Sequence, residues 1–95
     1  MRVGVPREIK VHEYRVGLTP EAVREYAAAG HEILVETGAG AGISAPDSAY
    51  EAAGAKIAAS ASEIFAKAEL VVKVKEPQPS EWAQLRKGQI LFTYL

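Results

Sequence analysis

Two lysines stand where a buried strand is expected. In LVVKVKEPQP, Leu70 to Pro79, the valines Val71, Val72 and Val74 read as a strand. Lys73 and Lys75 share one face of it, because side chains alternate along a strand. Glu76-Pro77 then stops the run. A second set of cations, Arg7, Lys10 and Arg15, lies in the polar stretch PREIKVHEYRVG. A guanidinium offers a planar fork that matches a carboxylate bidentately. An ammonium is a compact point charge that hydrogen-bonds a carbonyl or amine and loses its proton when desolvated. Little else of catalytic type accompanies them, so the chemistry they suggest is capture of a small acidic substrate. The plainer reading is that both lysines snorkel to solvent at a sheet rim, and on pattern alone it weighs more.

The elements that would position these residues alternate. RVGV before Pro6 reads as a first strand. A helix follows, with Thr19 as N-cap, Pro20 at its first position, a Leu18–Val23 staple, a stripe of Val23, Tyr26 and Ala27, and Gly30 at its end. HEILVE is a second strand, TGAGAGISAP a glycine-rich turn, DSAYEAAG a short helix and AKIA a short strand. Ser60 and Glu63 form a capping box ahead of Ala61, Ile64, Phe65 and Ala68 at helical spacing. ELVVKVK is the fourth strand, PSEWAQLRKG a short helix with Ser80 near its start, and QILFTYL the fifth strand. Strands alternating with helices imply an α/β fold, an open and mostly parallel sheet with flanking helices of the Rossmann-like or flavodoxin-like kind. Ligands of such sheets bind outside the carboxyl ends of the strands. Lys75 and the loop carrying Arg7, Lys10 and Arg15 both belong to that edge.

Composition narrows the functions. A net charge of −1 gives no bulk attraction to nucleic acid or to an anionic membrane. No apolar run approaches the ~18 residues of a membrane span. Without cysteine there is no disulfide framework or thiolate metal site, which fits the cytoplasm. A 95-residue chain supports one small domain with a thin core. It closes on an apolar strand, from which we expect a piece of a longer protein. GAGAG fails the G-x-G-x-x-G spacing, so Gly38, Gly40 and Gly42 read as turn residues supplying positive φ. His31 reads as structural, Trp82 as core or subunit contact, and Tyr94 as half-buried. His12 lies in the polar loop without an evident partner, and two histidines so far apart make no metal site.

The set RVGVPREIK, E-x-RV-x-LTP, GHEILVETGAGAG, KVKEP and KGQILFTYL closely resembles the start of the alanine dehydrogenase family, which includes the NAD-binding subunit of proton-translocating transhydrogenase. The resemblance runs the whole chain in order. It implies that residues 1–95 are the N-terminal segment of a substrate-binding (catalytic) domain, with the NAD-binding domain elsewhere. It implies reversible oxidative deamination of L-alanine to pyruvate and ammonium with NAD as cofactor, in a homo-oligomer, commonly a hexamer. Arg15 would hold the substrate carboxylate, and Lys75 would contact the substrate near its reacting carbon. The family's acid/base histidine follows LFTYL and is not among these residues. The piece alone is therefore expected to be inactive. Family members often have asparagine where this chain has His12. The second lysine of KVKEP tends to be missing from transhydrogenase subunits, so Lys75 favours the dehydrogenase. The alternatives are a transhydrogenase-type subunit and a non-enzymatic anion-binding α/β module.

Overall fold

A computed structural model describes residues 1–94; Leu95, the last residue of the expected fifth strand, lies outside the described residues. Five strands form one sheet: β1 (Arg2–Val5), β2 (Glu32–Glu36), β3 (Lys56–Ala58), β4 (Leu70–Lys73) and β5 (Ile90–Thr93). Every neighbouring pair is parallel and the order is β3-β2-β1-β4-β5. The expected open parallel sheet is therefore observed. The chain builds outward from β1 to β3, then returns to the other side of β1 for β4 and β5. The strand order thus reverses between β1 and β4. At such a point the loops leaving two adjacent strands diverge and open a crevice.

Four helices flank the sheet: α1 (Pro20–Ala28), α2 (Asp47–Ala52), α3 (Ala61–Lys67) and α4 (Pro79–Trp82). Thr19 caps α1 by accepting from the Ala22 N–H, and Ser60 caps α3 by accepting from the Glu63 N–H. The period-2 alternation of the strands decides what each face buries. Val3, Val5, Ile33, Val35 and Val72 meet Leu18, Val23 and Tyr50 in the larger core cluster. Leu34 and Val71 turn to the other face, against Ile64 and Phe65 respectively. Tyr50 is fully buried, and its hydroxyl donates to the Leu18 carbonyl at 2.8 Å. Burial pushes that phenol up to about 12, so the hydroxyl stays a donor.

Several elements differ from their expected extents. β4 ends at Lys73, two residues early, and the chain bends at Val74 and Lys75. Ser80 lies near the start of α4 as expected, and the cap is Gln78, whose N–H donates to the Glu81 side chain at 2.8 Å. That helix stops at Trp82 instead of running on to Lys87. Beyond it, the Arg86 and Gln89 side chains turn toward the carbonyls of Phe65 and Ala68, at distances from 2.7 to 3.0 Å. Arg86, expected in the last turn of α4, therefore satisfies the carboxyl end of α3 together with Gln89. Trp82 is exposed, its indole N–H donating to the Pro77 carbonyl. Tyr26, expected on the buried stripe of α1, is exposed and meets His31 edge-on. Of the three loop glycines expected at positive φ, only Gly38 has it. β5 forms a sheet edge, with Ile90, Leu91 and Phe92 exposed.

The loop between β1 and α1 lies tight on β4. A Cβ added at Gly17 would sit 2.3 Å from the Val72 carbonyl oxygen, a backbone atom of the sheet. Tyr94 braces the same point, its hydroxyl donating to the Gly17 carbonyl at 2.7 Å. We expect Gly17→Ala to destabilise the fold by about 1–3 kcal/mol, as overpacking against an immobile neighbour does. Thermal unfolding measures this, and an unchanged midpoint would mean that the loop moves aside without cost.

Candidate functional site

The two lysines of KVKEP have separate fates. Lys73 ends β4 with its side chain only 1% exposed. Its ammonium lies 3.1 Å from Glu8 Oε1 and 3.4 Å from Glu81 Oε2, and both carboxylates are as deeply buried. Glu8 comes from the loop after β1 and Glu81 from α4, so three segments meet on one cation. Glu8 also accepts from the backbone of the bend: the Val74 N–H reaches Oε2 at 2.9 Å and the Lys75 N–H reaches Oε1 at 3.3 Å. Glu81 Oε1 accepts from the Gln78 N–H at 2.8 Å. Lys73 is neither a solvated rim charge nor a group open to substrate.

Lys75 is half-buried in the bend, at the reversal of strand order. Arg15 arrives from the β1–α1 loop and is 65% exposed. Glu13 organises it: Arg15 Nε donates to Oε2 and Nη2 to Oε1, both at 3.0 Å, while the Arg15 backbone N–H adds a bond to Oε2 at 2.9 Å. These bonds hold the Glu13 carboxyl below its ordinary value, with the Lys75 charge contributing in the same direction. Glu13 pushes the guanidinium up in return. The pairing is side-on, through Nε and Nη2. Nη1 has no partner among the described residues, so the end-on fork of Nη1 and Nη2 is open to a second carboxylate.

Arg15 stands between two clefts. One, of about 140 Å³, is lined by Arg7, Glu13, Arg15 and the loop after β2. The other, of about 300 Å³, is lined by Val16, Ile43, Val74 and Tyr94 as well as Arg15. Lys75 lines neither; it and Arg15 are linked through the charge of Glu13. Of the other expected cations, Arg7 reaches the smaller cleft, while Lys10 is paired with Glu76 at 2.6 Å. That contact holds the Glu76 carboxyl down at about 2. His12 has a partner after all, the Tyr14 hydroxyl at 3.1 Å from Nδ1, on a backbone with φ of 63°.

The GAGAG loop does not cradle phosphate. A Cβ at Gly42 would meet the Tyr14 carbonyl oxygen at 2.2 Å, and one at Gly40 the Ala45 carbonyl oxygen at 2.5 Å. These glycines let the chain pack on itself, and no dinucleotide pyrophosphate fits where its own backbone sits. Among the described residues no group of three or more His, Cys, Asp or Glu could hold a metal ion. Among the same residues no helix is long and apolar enough to cross a membrane.

Glu8, Glu13 and Glu81 escaped the sequence reading, which sought cations. The signal was present in Lys73 itself. A lysine flanked by Val72 and Val74 in a buried strand requires carboxylates within reach.

Comparison with known proteins matches the chain in sequence and in fold. The family described as alanine dehydrogenase/PNT, N-terminal domain, matches residues 4–95. The chain is 50% identical over all 95 residues to an alanine dehydrogenase of Halomonas elongata, covering 26% of it. It is 53% identical over the same span to that of Bacillus subtilis, covering 25%. The chain thus spans about a quarter of the length of these relatives. A solved L-alanine dehydrogenase superposes with a TM-score of 0.96 at 49% identity, over the whole chain and 26% of that structure. A transhydrogenase from Sinorhizobium meliloti superposes with a TM-score of 0.92 at 30% identity, over the whole chain and 28% of that structure.

Two measurements test the charge assignments. Lys73→Ala leaves two buried carboxylates without their cation and should cost roughly 3–5 kcal/mol of stability, by denaturant unfolding, while Lys75→Ala costs far less. A small loss for Lys73→Ala would show that its carboxylates reach water. The second concerns Glu76, whose folded value of about 2 lies below its ordinary 4.5. A depressed carboxylate contributes stability above its unfolded value and loses it as pH falls through its folded value. The gap in melting temperature between the wild type and Glu76→Gln should therefore be widest above pH 4.5 and close toward pH 2. A constant gap across that window would exclude the Lys10 pairing as its source.

Proposed function

The chain belongs to the alanine dehydrogenase/PNT family through its N-terminal domain, and on that premise we propose that it forms the first part of the substrate-binding domain of an NAD-dependent L-alanine dehydrogenase. The reaction is the reversible conversion of L-alanine, NAD and water to pyruvate, ammonium, NADH and a proton. The observation that carries this reading is the open end-on fork of Arg15, preset by Glu13, whose carboxyl also feels the charge of the half-buried Lys75.

Arg15 takes the substrate carboxylate bidentately, as a guanidinium fork does. Holding both oxygens fixes the orientation of the α-carbon, and orientation is a large share of what a positioned site supplies. Lys75 donates to the substrate's carbonyl or carbinolamine oxygen and offsets negative charge as it develops there. The acid/base role falls to the histidine that follows the LFTYL motif in the family. The glycine loop does not fit NAD, so the cofactor is assigned to the part of the relatives' length that this chain does not span. A homo-oligomer, hexameric by family resemblance, and a cytoplasmic location complete the proposal.

A transhydrogenase-type subunit is the second reading, favoured by the close superposition on the Sinorhizobium meliloti protein. The identities weigh against it, at 30% there and 49% with the L-alanine dehydrogenase structure. Alanine-dependent NADH formation by the full-length protein separates the two. In that protein Arg15→Lys should raise the KM for both alanine and pyruvate roughly ten- to hundredfold, the worth of about 1.5–3 kcal/mol in a charge-assisted contact, and leave NAD binding unchanged. Lys75→Ala should lower kcat by ~10²-fold or more. Unchanged KM values in Arg15→Lys would remove Arg15 as the carboxylate clamp. An unchanged kcat in Lys75→Ala would return Lys75 to a solvated rim.

A further inference from the structure

We infer that Glu8 is a positioning residue for Lys75, acting through the backbone of the bend that follows β4; the inference rests on the dehydrogenase reading of this site. One carboxylate gathers three donors, the Lys73 ammonium and the successive N–H groups of Val74 and Lys75. In an extended strand successive N–H groups point to opposite sides, as successive side chains do. Two of them meet one carboxylate only where the chain has turned. Glu8 therefore goes with the end of β4 at Lys73 and with the direction in which Lys75 leaves the sheet.

The carboxylate is itself held. Its side chain is 2% exposed, and its partner Lys73 is fixed from the other side by Glu81. Glu81 is fixed in turn by its bond from the Gln78 N–H. Both Glu8 oxygens face donors, Oε1 toward Lys73 and Lys75, Oε2 toward Val74. An amide in its place would set an NH₂ against a donor whichever way it was turned. Glu81 contacts the same ammonium, but none of its bonds reaches the Val74 or Lys75 backbone. The two glutamates thus share a buried-charge role and differ in the positioning role, which gives the test its control.

The experiment compares Glu8→Gln, Glu8→Asp and Glu81→Gln in the full-length protein. It measures melting temperature, kcat, KM, and amide hydrogen exchange at Val74 and Lys75. Glu8→Gln and Glu81→Gln should both lower the melting temperature. Only Glu8→Gln should lower kcat, by roughly ten- to hundredfold, the range expected when a reacting group is displaced by about 1 Å. Only Glu8→Gln should speed exchange at the two amides, and Glu8→Asp should restore part of both losses. If Glu8→Gln does not fold, Glu8→Gln/Lys73→Met, which removes the stranded ammonium, carries the same comparison. Equal kcat in the two Gln variants, or unaltered exchange at Val74 and Lys75 in Glu8→Gln, overturns the inference. A wild-type protein that forms no NADH from alanine would defeat the dehydrogenase reading instead, and the exchange rates alone would then decide the role of Glu8.

Discussion

The ammonium of Lys73 is the constraint on which the rest of the carboxyl edge depends. Removing an ion of this size from water costs of order 20 kcal/mol in the idealised limit, and several kcal/mol after relaxation. A lysine there is tolerated only if carboxylates come to it. Glu8 and Glu81 do so from segments on either side of β4 in the chain, and each brings a further burial cost of its own. Two carboxylates on one ammonium would leave an excess negative charge. The N–H groups of Val74, Lys75 and Gln78 meet that excess with their dipoles. Such an assembly is a poor source of net stability, since well-packed apolar groups of the same volume often do as well. It does dictate geometry, because each member is costly when displaced. The β1 loop, the end of β4 and the start of α4 are locked together by that cost.

What was legible in the sequence follows from what is local. Strand and helix identities came through because they rest on alternation, capping residues and glycine stops within a few residues. The parallel α/β class followed from their order. The end of β4 was misread because alternation carried the strand on to Lys75, whereas a carboxylate from Glu8, far back in the chain, turns it at Val74. α4 was overextended for a related reason. Arg86 and Lys87 look like a basic last turn, yet Arg86 serves the carbonyls of Phe65 and Ala68 at the end of another helix. Long-range partners override local propensity when they satisfy groups that would otherwise be orphaned. Strand order was not legible at all, since nothing within β4 records that it returns beside β1.

The candidate site was legible in its cations and not in its anions. Arg15 and Lys75 were named as candidates through a resemblance and a strand-end argument. Their dependence on Glu13 and Glu8 appears only in three dimensions. Arg15 is exposed, and an exposed arginine carries about 2 kcal/mol of rotamer entropy that binding must overcome. Exposed charge pairs are also weak, since water screens them. A rim of cations alone would therefore grip a small acid poorly. Glu13 changes this by holding the guanidinium side-on before any ligand arrives. If Arg15 is the carboxylate clamp proposed above, much of the ordering cost is then met in folding and not in binding, which is how preorganisation raises affinity. Lys75 gains the corresponding restraint through its backbone. In the proposed site the cations meet the substrate, and the carboxylates of Glu13 and Glu8 set their aim.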